Sequence, residues 1–235
     1  MKSLAKPALM VLASLCVAQG ASASSAAAAE SPQPTVIELF TSQGCSSCPP
    51  ANANLIKLRN RPGVLALTFS VTYWDKLGWK DTFGKAEFTD RQRVYEPSLG
   101  RSGPFTPQVV VNGRADVVGN RIEEIDALLA DASRGDPPAV VIDGDQVRIG
   151  AGSAPEREAD VWMVLYDPAV VSVPVRRGEN GGRTLPQANV VHELRRIGGW
   201  GGKAVSIPLS RGPANLKVAV LVQHAGGPVI AASTD

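Results

Sequence analysis

Histidine, cysteine and aromatic side chains are scarce in this chain of 235 residues: 2 His, 3 Cys and 5% aromatics. The two histidines, His192 and His224, both fall in the C-terminal half, so a cysteine-based zinc site in the N-terminal half is short of its four ligands. Charge of one sign is also lacking, with 24 Lys and Arg against 22 Asp and Glu and a net charge of +2. Two of those positive residues, Lys2 and Lys6, sit at the extreme N-terminus. A nucleic-acid footprint needs clustered basic residues. Arg176-Arg177 and Arg195-Arg196 are too short for a basic arm and fit a solvated face. No apolar run reaches the length of a membrane-spanning helix, and there is no internal repeat.

Gly and Pro are plentiful, at 23 and 18 residues; the remaining composition is ordinary for a globular protein. The length suits two domains and allows a real core without disulfides.

Residues 1–29 read as a signal peptide. Lys2 and Lys6 form a positive start, Ala8 to Val17 an apolar stretch, and Ala21-Ser22-Ala23 a small-residue cleavage pattern, with Ala26–Ala29 offering another. Cys16 follows Leu15, whereas a lipid-attachment signal wants a small residue there, so Cys16 belongs with the discarded segment. The mature protein is expected to be periplasmic or secreted, soluble and without a membrane span. It then holds two cysteines, Cys45 and Cys48, spaced C-x-x-C. Disulfides persist outside the cytoplasm. A pair three residues apart closes a tiny loop and removes little unfolded-state entropy, so it is a poor staple and points to chemistry.

Further along, Val36–Phe40 predicts a strand and Cys45 to about Arg61 a helix stopped by Pro62-Gly63. Val64–Val71 predicts a second strand. Residues 72–104 form a long connection with a helix over Thr82–Tyr95. Val109–Val111 and Arg114–Val118 flank Asn112-Gly113, a strong hairpin signal. Arg121–Ala130 is amphipathic, with Ile122, Ile125, Leu128 and Leu129 on one stripe. Ser133–Pro138 reads as a linker. Beyond it, short apolar runs separated by Gly, Pro and Asn clusters predict seven or eight strands in about a hundred residues, the pattern of a β-sandwich.

The segment Glu38–Pro50 carries the chemistry. With a helix beginning near Cys45, the two sulfurs lie on one face at i and i+3, within disulfide reach. Cys45 would sit at the exposed helix start, where free amides and the dipole favour its thiolate. Cys48 would be the shielded, resolving thiol. Glu38 lies in an apolar run, where a buried carboxyl with a raised pKa could relay protons; equally, it could face water near a strand end.

Together with Thr106-Pro107 ahead of a β-hairpin and a closing helix, this opening resembles the thioredoxin fold. The resemblance implies that Pro107 follows a cis bond and packs against the cysteines. The stretch between the first helix and Pro107 is longer than in thioredoxin, no Trp flanks Cys45, and the intervening dipeptide is Ser46-Ser47. Over the whole mature chain the sequence resembles an exported, thioredoxin-like bacterial family of unknown function, through Glu38–Pro50, Phe105-Thr-Pro107, Arg177-Gly-Glu-Asn180 and Asn189-Val-Val191.

The expected architecture is an α/β thioredoxin-like domain over residues 30–136 followed by an all-β sandwich-like domain over 137–235. The expected function is a thiol–disulfide oxidoreductase acting on protein thiols or disulfides, with a possible redox partner protein, no cofactor and no bound metal. Cys45, Cys48, Thr106, Pro107 and Glu38 are its site residues. Two alternatives stand beside it: a Cu(I)-handling protein using the same thiolates, favoured if His192 or His224 lies near the sulfurs, and a non-catalytic binding module. An inert structural disulfide is a further reading of the pair, disfavoured by the small loop it would close. Tyr73, Trp74 and Trp79 fit either a substrate groove or local core. Arg177–Asn180 with Gly181-Gly182 fits a functional loop, or simply a Gly-rich hairpin.

Overall fold

Strand formation begins where Thr35-Val-Ile opens an apolar run: β1 spans Thr35–Thr41, and every residue after Thr35 in it is buried. The computed structural model describes Met1 and residues 33–133 and 135–235. The signal-like segment, its cleavage pattern and Cys16 lie outside the described residues. Among those that are described, no helix is long and apolar enough to cross a membrane.

From β1 the chain passes through α1 (Pro49–Leu58) into β2 (Val64–Ser70), which pairs parallel with β1 from Thr35↔Val64 to Thr41↔Ser70. After α2 (Ala86–Val94), β3 (Gln108–Val111) runs antiparallel to β1 and turns into β4 (Ala115–Val118). The turn is Asn112-Gly113, with φ of 47° and 62°. Two successive left-handed residues give the turn whose twist suits a hairpin. Helix α3 (Ile122–Ala130) follows.

Strand alternation divides β1 between two cores. Ile37 and Leu39 face α1 and α3, packing with Ala51, Leu55, Leu58 and Ile125. Val36 and Phe40 face the other way, with Phe69, Phe88 and Tyr95. The sign of this alternation settles where Glu38 points.

The C-terminal half supplies β5 (Val140–Asp143), β6 (Gln146–Ile149), β7 (Ala159–Pro174), β8 (Thr184–Trp200), β9 (Val205–Pro208), β10 (Lys217–Gln223) and β11 (Val229–Thr234). Here the expected architecture, a thioredoxin-like α/β domain followed by an all-β sandwich, is overturned. The molecule is mostly β, built on one mixed eight-stranded sheet in the order β11-β10-β7-β8-β2-β1-β3-β4, with a second sheet β5-β6-β9. Only three α-helices occur among the described residues.

The reason is edge pairing. Strand β2 offers a free edge, and β8 docks on it in parallel at Thr68↔Val190. The Thr68 hydroxyl donates to the Ala188 carbonyl at 2.6 Å, and the Asn189 amide donates to the Ala66 carbonyl at 2.7 Å. Residues from both sides of the 133–138 segment therefore share one sheet. They also share a core, in which Phe40 and Phe69 meet Val164, Ala219 and Leu221. The small sheet packs Val147, Ile149 and Ile207 against Val161, Met163 and Val220 on the opposite face of β7 and β10.

The runs 161–166 and 170–175 are one long strand, interrupted only by register shifts. Strands β7 and β8 stay paired out to Pro174↔Thr184. The tip of this hairpin is tightened by hydrogen bonds from Val175 N to Arg183 O (2.9 Å) and from Gly182 N to Val175 O (2.8 Å). That tip lies over the end of β1.

Candidate functional site

At Thr41 the strand ends in a buried turn, Ser42-Gln-Gly-Cys45. The Cys45 amide donates to the Ser42 carbonyl at 3.2 Å, and the Cys48 amide to the Cys45 carbonyl at 3.2 Å. Helix α1 starts at Pro49 with Cys48 as its N-cap, later than the sequence suggests. Pro49 and Pro50 take the first turn, where a missing N–H costs nothing. Cys45 thus sits in the turn ahead of the helix. The expectation that Cys45 is exposed fails as well: Cys45 is 1% accessible and Cys48 0%. Both are free thiols.

The two sulfurs differ sharply in their surroundings. The Cys45 Sγ lies 3.2 Å from the Ser47 hydroxyl and 3.9 Å from the Thr106 carbonyl oxygen. The Cys48 thiol, hydrogen-bonded to it, is the largest influence on its acidity. Together with the Ser47 hydroxyl and amide, it outweighs burial and pulls Cys45 down to about 6. Cys48 moves the opposite way, because burial and the adjacent Cys45 both keep its proton in place. As in any coupled pair, the first proton leaves easily and the second is retained.

Thr106–Pro107 is a cis peptide bond, and the Thr106 carbonyl closes one side of the Cys45 sulfur. The Thr106 hydroxyl accepts from the Trp74 indole N–H at 2.7 Å. The Tyr73 hydroxyl donates to Gln92 at 3.3 Å, and the Gln92 amide donates to the Phe105 carbonyl at 2.7 Å. Burial pushes Tyr73 up to about 12. Tyr73 and Trp74 are thus half-buried walls beside the cysteines, held by hydrogen bonds as well as by packing.

Glu38 is not brought to the sulfurs. It shares the Val36–Phe40 face of β1, turned away from α1. There its carboxylate accepts from the Arg91 guanidinium at two positions and from the Tyr95 hydroxyl at 2.5 Å. Arg91 also donates to Gln223 Oε1 at 3.2 Å. The proton-relay role considered for Glu38 is corrected to that of a buried ion-pair partner. The histidines are engaged elsewhere among the described residues: the His224 backbone pairs with Pro228 and Gly227. The His192 ring meets Phe83 at 6.0 Å. Among the described residues no three His, Cys, Asp or Glu side chains gather as a metal site.

Two features of the site lie in segments the sequence singles out, yet their roles there have no local signal. Gln43 is fully buried beside Cys45 and ties three segments together. Its Oε1 accepts from the Trp79 indole (2.9 Å) and the Thr82 amide (3.1 Å), while its Nε2 donates to Gln187 Oε1 on β8 (3.0 Å). Its own amide donates to the buried Asp81 carboxylate at 2.7 Å; burial raises the Asp81 pKa.

The second feature is the β7–β8 tip. Asn180, 0% accessible, donates its side-chain N–H groups to the carbonyls of Gln43 (3.0 Å) and Cys45 (2.8 Å). Its oxygen accepts from Arg183 at 2.8 Å. The exposed Glu179 carboxylate accepts from the Ser46 amide at 2.9 Å. The left-handed Gly178, at φ 76°, lets the chain double back here. The Gly-rich hairpin reading of Arg177–Gly182 is therefore correct as to shape, yet this hairpin grips the cysteine loop. Asn189, in the other quoted C-terminal motif, is the residue that locks β8 to β2.

Comparison with known proteins yields no curated match. Among solved structures, the chain is similar to a crystal structure of a protein from Agrobacterium tumefaciens, with 32% identity and a TM-score of 0.69 over 88% of this chain and 95% of that one. It also resembles HBP35 of Porphyromonas gingivalis, at 14% identity and a TM-score of 0.55 over 87% of this chain and 75% of that one, a likeness of fold alone. The model of a family described as "Protein of unknown function (DUF1223)" matches residues 36–223, and the chain belongs to that family.

Proposed function

We propose that this protein is a thiol–disulfide oxidoreductase working outside the cytoplasm, where its signal-like N-terminus would send it. The observation that carries the reading is a pair of free thiols in unlike surroundings: the Cys45 sulfur lies 3.2 Å from the Ser47 hydroxyl and beside the Thr106 carbonyl ahead of a cis proline, which favours its thiolate, while Cys48 is buried at the helix N-cap and keeps its proton. At neutral pH such a pair presents one nucleophile and keeps one thiol in reserve.

The reaction needs no cofactor. The Cys45 thiolate attacks one sulfur of a partner disulfide, forming a mixed disulfide and expelling the partner's other sulfur as a thiolate, which takes up a proton. Cys48 then gives up its proton and attacks the Cys45 sulfur, releasing the partner's second thiol. The partner gains two electrons and two protons, and the protein is left with a Cys45–Cys48 disulfide. Run backwards, the same steps oxidise a partner dithiol. The half-buried Tyr73 and Trp74 and the Thr106 carbonyl would flank the incoming sulfur.

Trapping tests this. With Cys48→Ser, mixed disulfides to partner proteins should accumulate through Cys45 in the extracytoplasmic fraction, whereas Cys45→Ser should trap almost nothing. Equal trapping by both variants would contradict the assigned roles. Absence of any trapping, with tight Cu(I) binding by the wild type, would replace this reading by the copper one.

A further inference from the structure

A nucleophile must be reached, yet Cys45 is 1% accessible. Part of its cover is local: the Thr106 carbonyl, and the segment carrying Trp74, whose Cβ lies so near Gly44 that an added methyl there would approach it to 3.2 Å. The rest of the grip on the cysteine turn comes from more than 130 positions later in the chain, through Glu179 and Asn180.

These two residues hold the turn differently. Asn180 is wholly buried, spans the Gln43 and Cys45 carbonyls and is itself oriented by Arg183. Its bonds give the buried Gln43 carbonyl a donor and add a second one to the Cys45 carbonyl, which also accepts from the Cys48 amide. Glu179 is exposed, and its carboxylate holds Ser46 alone, through the side chain and through the amide at 2.9 Å, contacts that lower its pKa. Around them Arg176, Arg177, Gly178, Gly181 and Gly182 are exposed. An anchored hairpin with a solvent-exposed outer catch can open at its tip without disturbing the sheet. Ser46 is exposed and follows Cys45 directly in the chain, so its N–H is the backbone donor next to the buried thiol. While Glu179 occupies it, a peptide segment approaching Cys45 cannot use that donor.

We propose that Glu179 is a specificity-determining residue. It latches the β7–β8 tip over the cysteine turn and excludes bulky protein disulfides from Cys45 until the latch is released, while Asn180 positions the turn in both states. The proposal rests on the oxidoreductase reading for its purpose, but its test does not.

The test is the alkylation rate of Cys45 in the reduced full-length protein, measured with iodoacetamide and with a maleimide carried on a large polymer. Glu179→Ala should speed the polymer reaction by roughly three- to tenfold, as expected for loss of the exposed charged contact with Ser46. The small reagent should gain less, and the thermal midpoint should stay close to wild type. Hydrogen exchange at the Ser46 amide should rise in parallel. Unchanged polymer alkylation, or an equal gain for both reagents, would overturn the latch. Asn180→Ala removes buried bonds and can fail to fold, which is why Glu179→Ala is the deciding variant. If the latch behaves as stated but neither form exchanges with disulfides, the oxidoreductase reading falls and the latch remains.

Discussion

Two buried polar clusters adjoin β1, one on its Glu38 face and one in the cysteine turn beyond its end, and they are built on opposite plans. On one face Glu38 and Arg91 form an ion pair with 1% and 5% side-chain exposure. Tyr95 and Gln223 complete it, and the guanidinium lies over the rings of Phe69, Tyr95 and Trp162 at 5.4 to 5.9 Å. The two charges meet each other, and the Tyr95 hydroxyl and the Gln223 amide both find acceptors. Nothing in that cluster is left to react. On the other side of the strand end, Cys45 and Cys48 share one proton between unlike sites, under a hairpin with an exposed outer bond. A fully matched network fixes structure. A pair in which one member is stabilised as an anion and the other is barred from ionising stores reactivity. Burial alone therefore does not separate a structural polar group from a functional one; the balance of partners does.

The largest expected effect comes from breaking the matched cluster. Arg91→Ala leaves the Glu38 carboxylate buried without its counter-charge and should cost about 3–5 kcal/mol of stability, read from urea unfolding. Glu38→Gln should also destabilise, yet leave the pH midpoint of Cys45 alkylation where it is. A shift in that midpoint would mean that Glu38 communicates with the thiols after all, as the sequence allows and the strand register does not.

The next effect sharpens the other half of the comparison. Since the Cys48 thiol is the main cause of the low Cys45 pKa, Cys48→Ala should raise the midpoint of Cys45 alkylation from about 6 toward the usual 9.0. A rise of about one unit or more is expected for loss of a direct donor to a thiolate. Cys48→Ser keeps a donor hydroxyl and should rise less, which also keeps Cys45 reactive in the trapping experiment. An unmoved midpoint in Cys48→Ala would assign the depression to Ser47 and the turn amides instead.

How far these clusters could be read beforehand depended on the range of the interaction. Strands and helices came through locally. The Val36–Phe40 run, the Asn112-Gly113 turn, the Ile122–Leu129 stripe and the later β runs all form close to where periodicity and turn chemistry place them. Thr106–Pro107 is cis, as the resemblance implies. What failed was assembly. No local signal says that Val190 pairs beside Thr68, so one shared sheet reads in sequence as two separate folds. The C-x-x-C spacing suggests a helix from Cys45, whereas the two consecutive prolines, best placed in a first turn, mark the true start at Pro49. Glu38 was placed by its apolar neighbours, but the face it takes depends on strand register, and its partner Arg91 lies 53 residues away on a helix of low hydrophobicity. The grip of Glu179 and Asn180 was beyond reach for the same reason, although their motif had been noticed.

The smallest expected effect is a slope rather than a step, and it separates the two clusters by pH. Cys45 in the folded protein sits at about 6, below its usual 9.0. A lowered acid contributes stability that is fully present above the unfolded value and is lost as pH falls through the folded one. Cys48 is displaced upward from 9.0, so its contribution is present below 9.0 and is lost as pH rises beyond it. The reduced protein should therefore gain stability from about pH 6 to pH 9 and turn over above that. Arg91, raised by Glu38, stays charged throughout this range and adds no slope. The measurement is the urea midpoint at half-unit steps from pH 5.5 to 10, run on reduced protein and on protein with the Cys45–Cys48 disulfide formed. Oxidation removes both titrating thiols, so the difference between the two curves isolates the pair from every other group. A difference that stays flat from pH 6 to 9 would show that the folded protein does not hold Cys45 as a thiolate, and the contrast between the Glu38 cluster and the cysteine turn would reduce to one of composition.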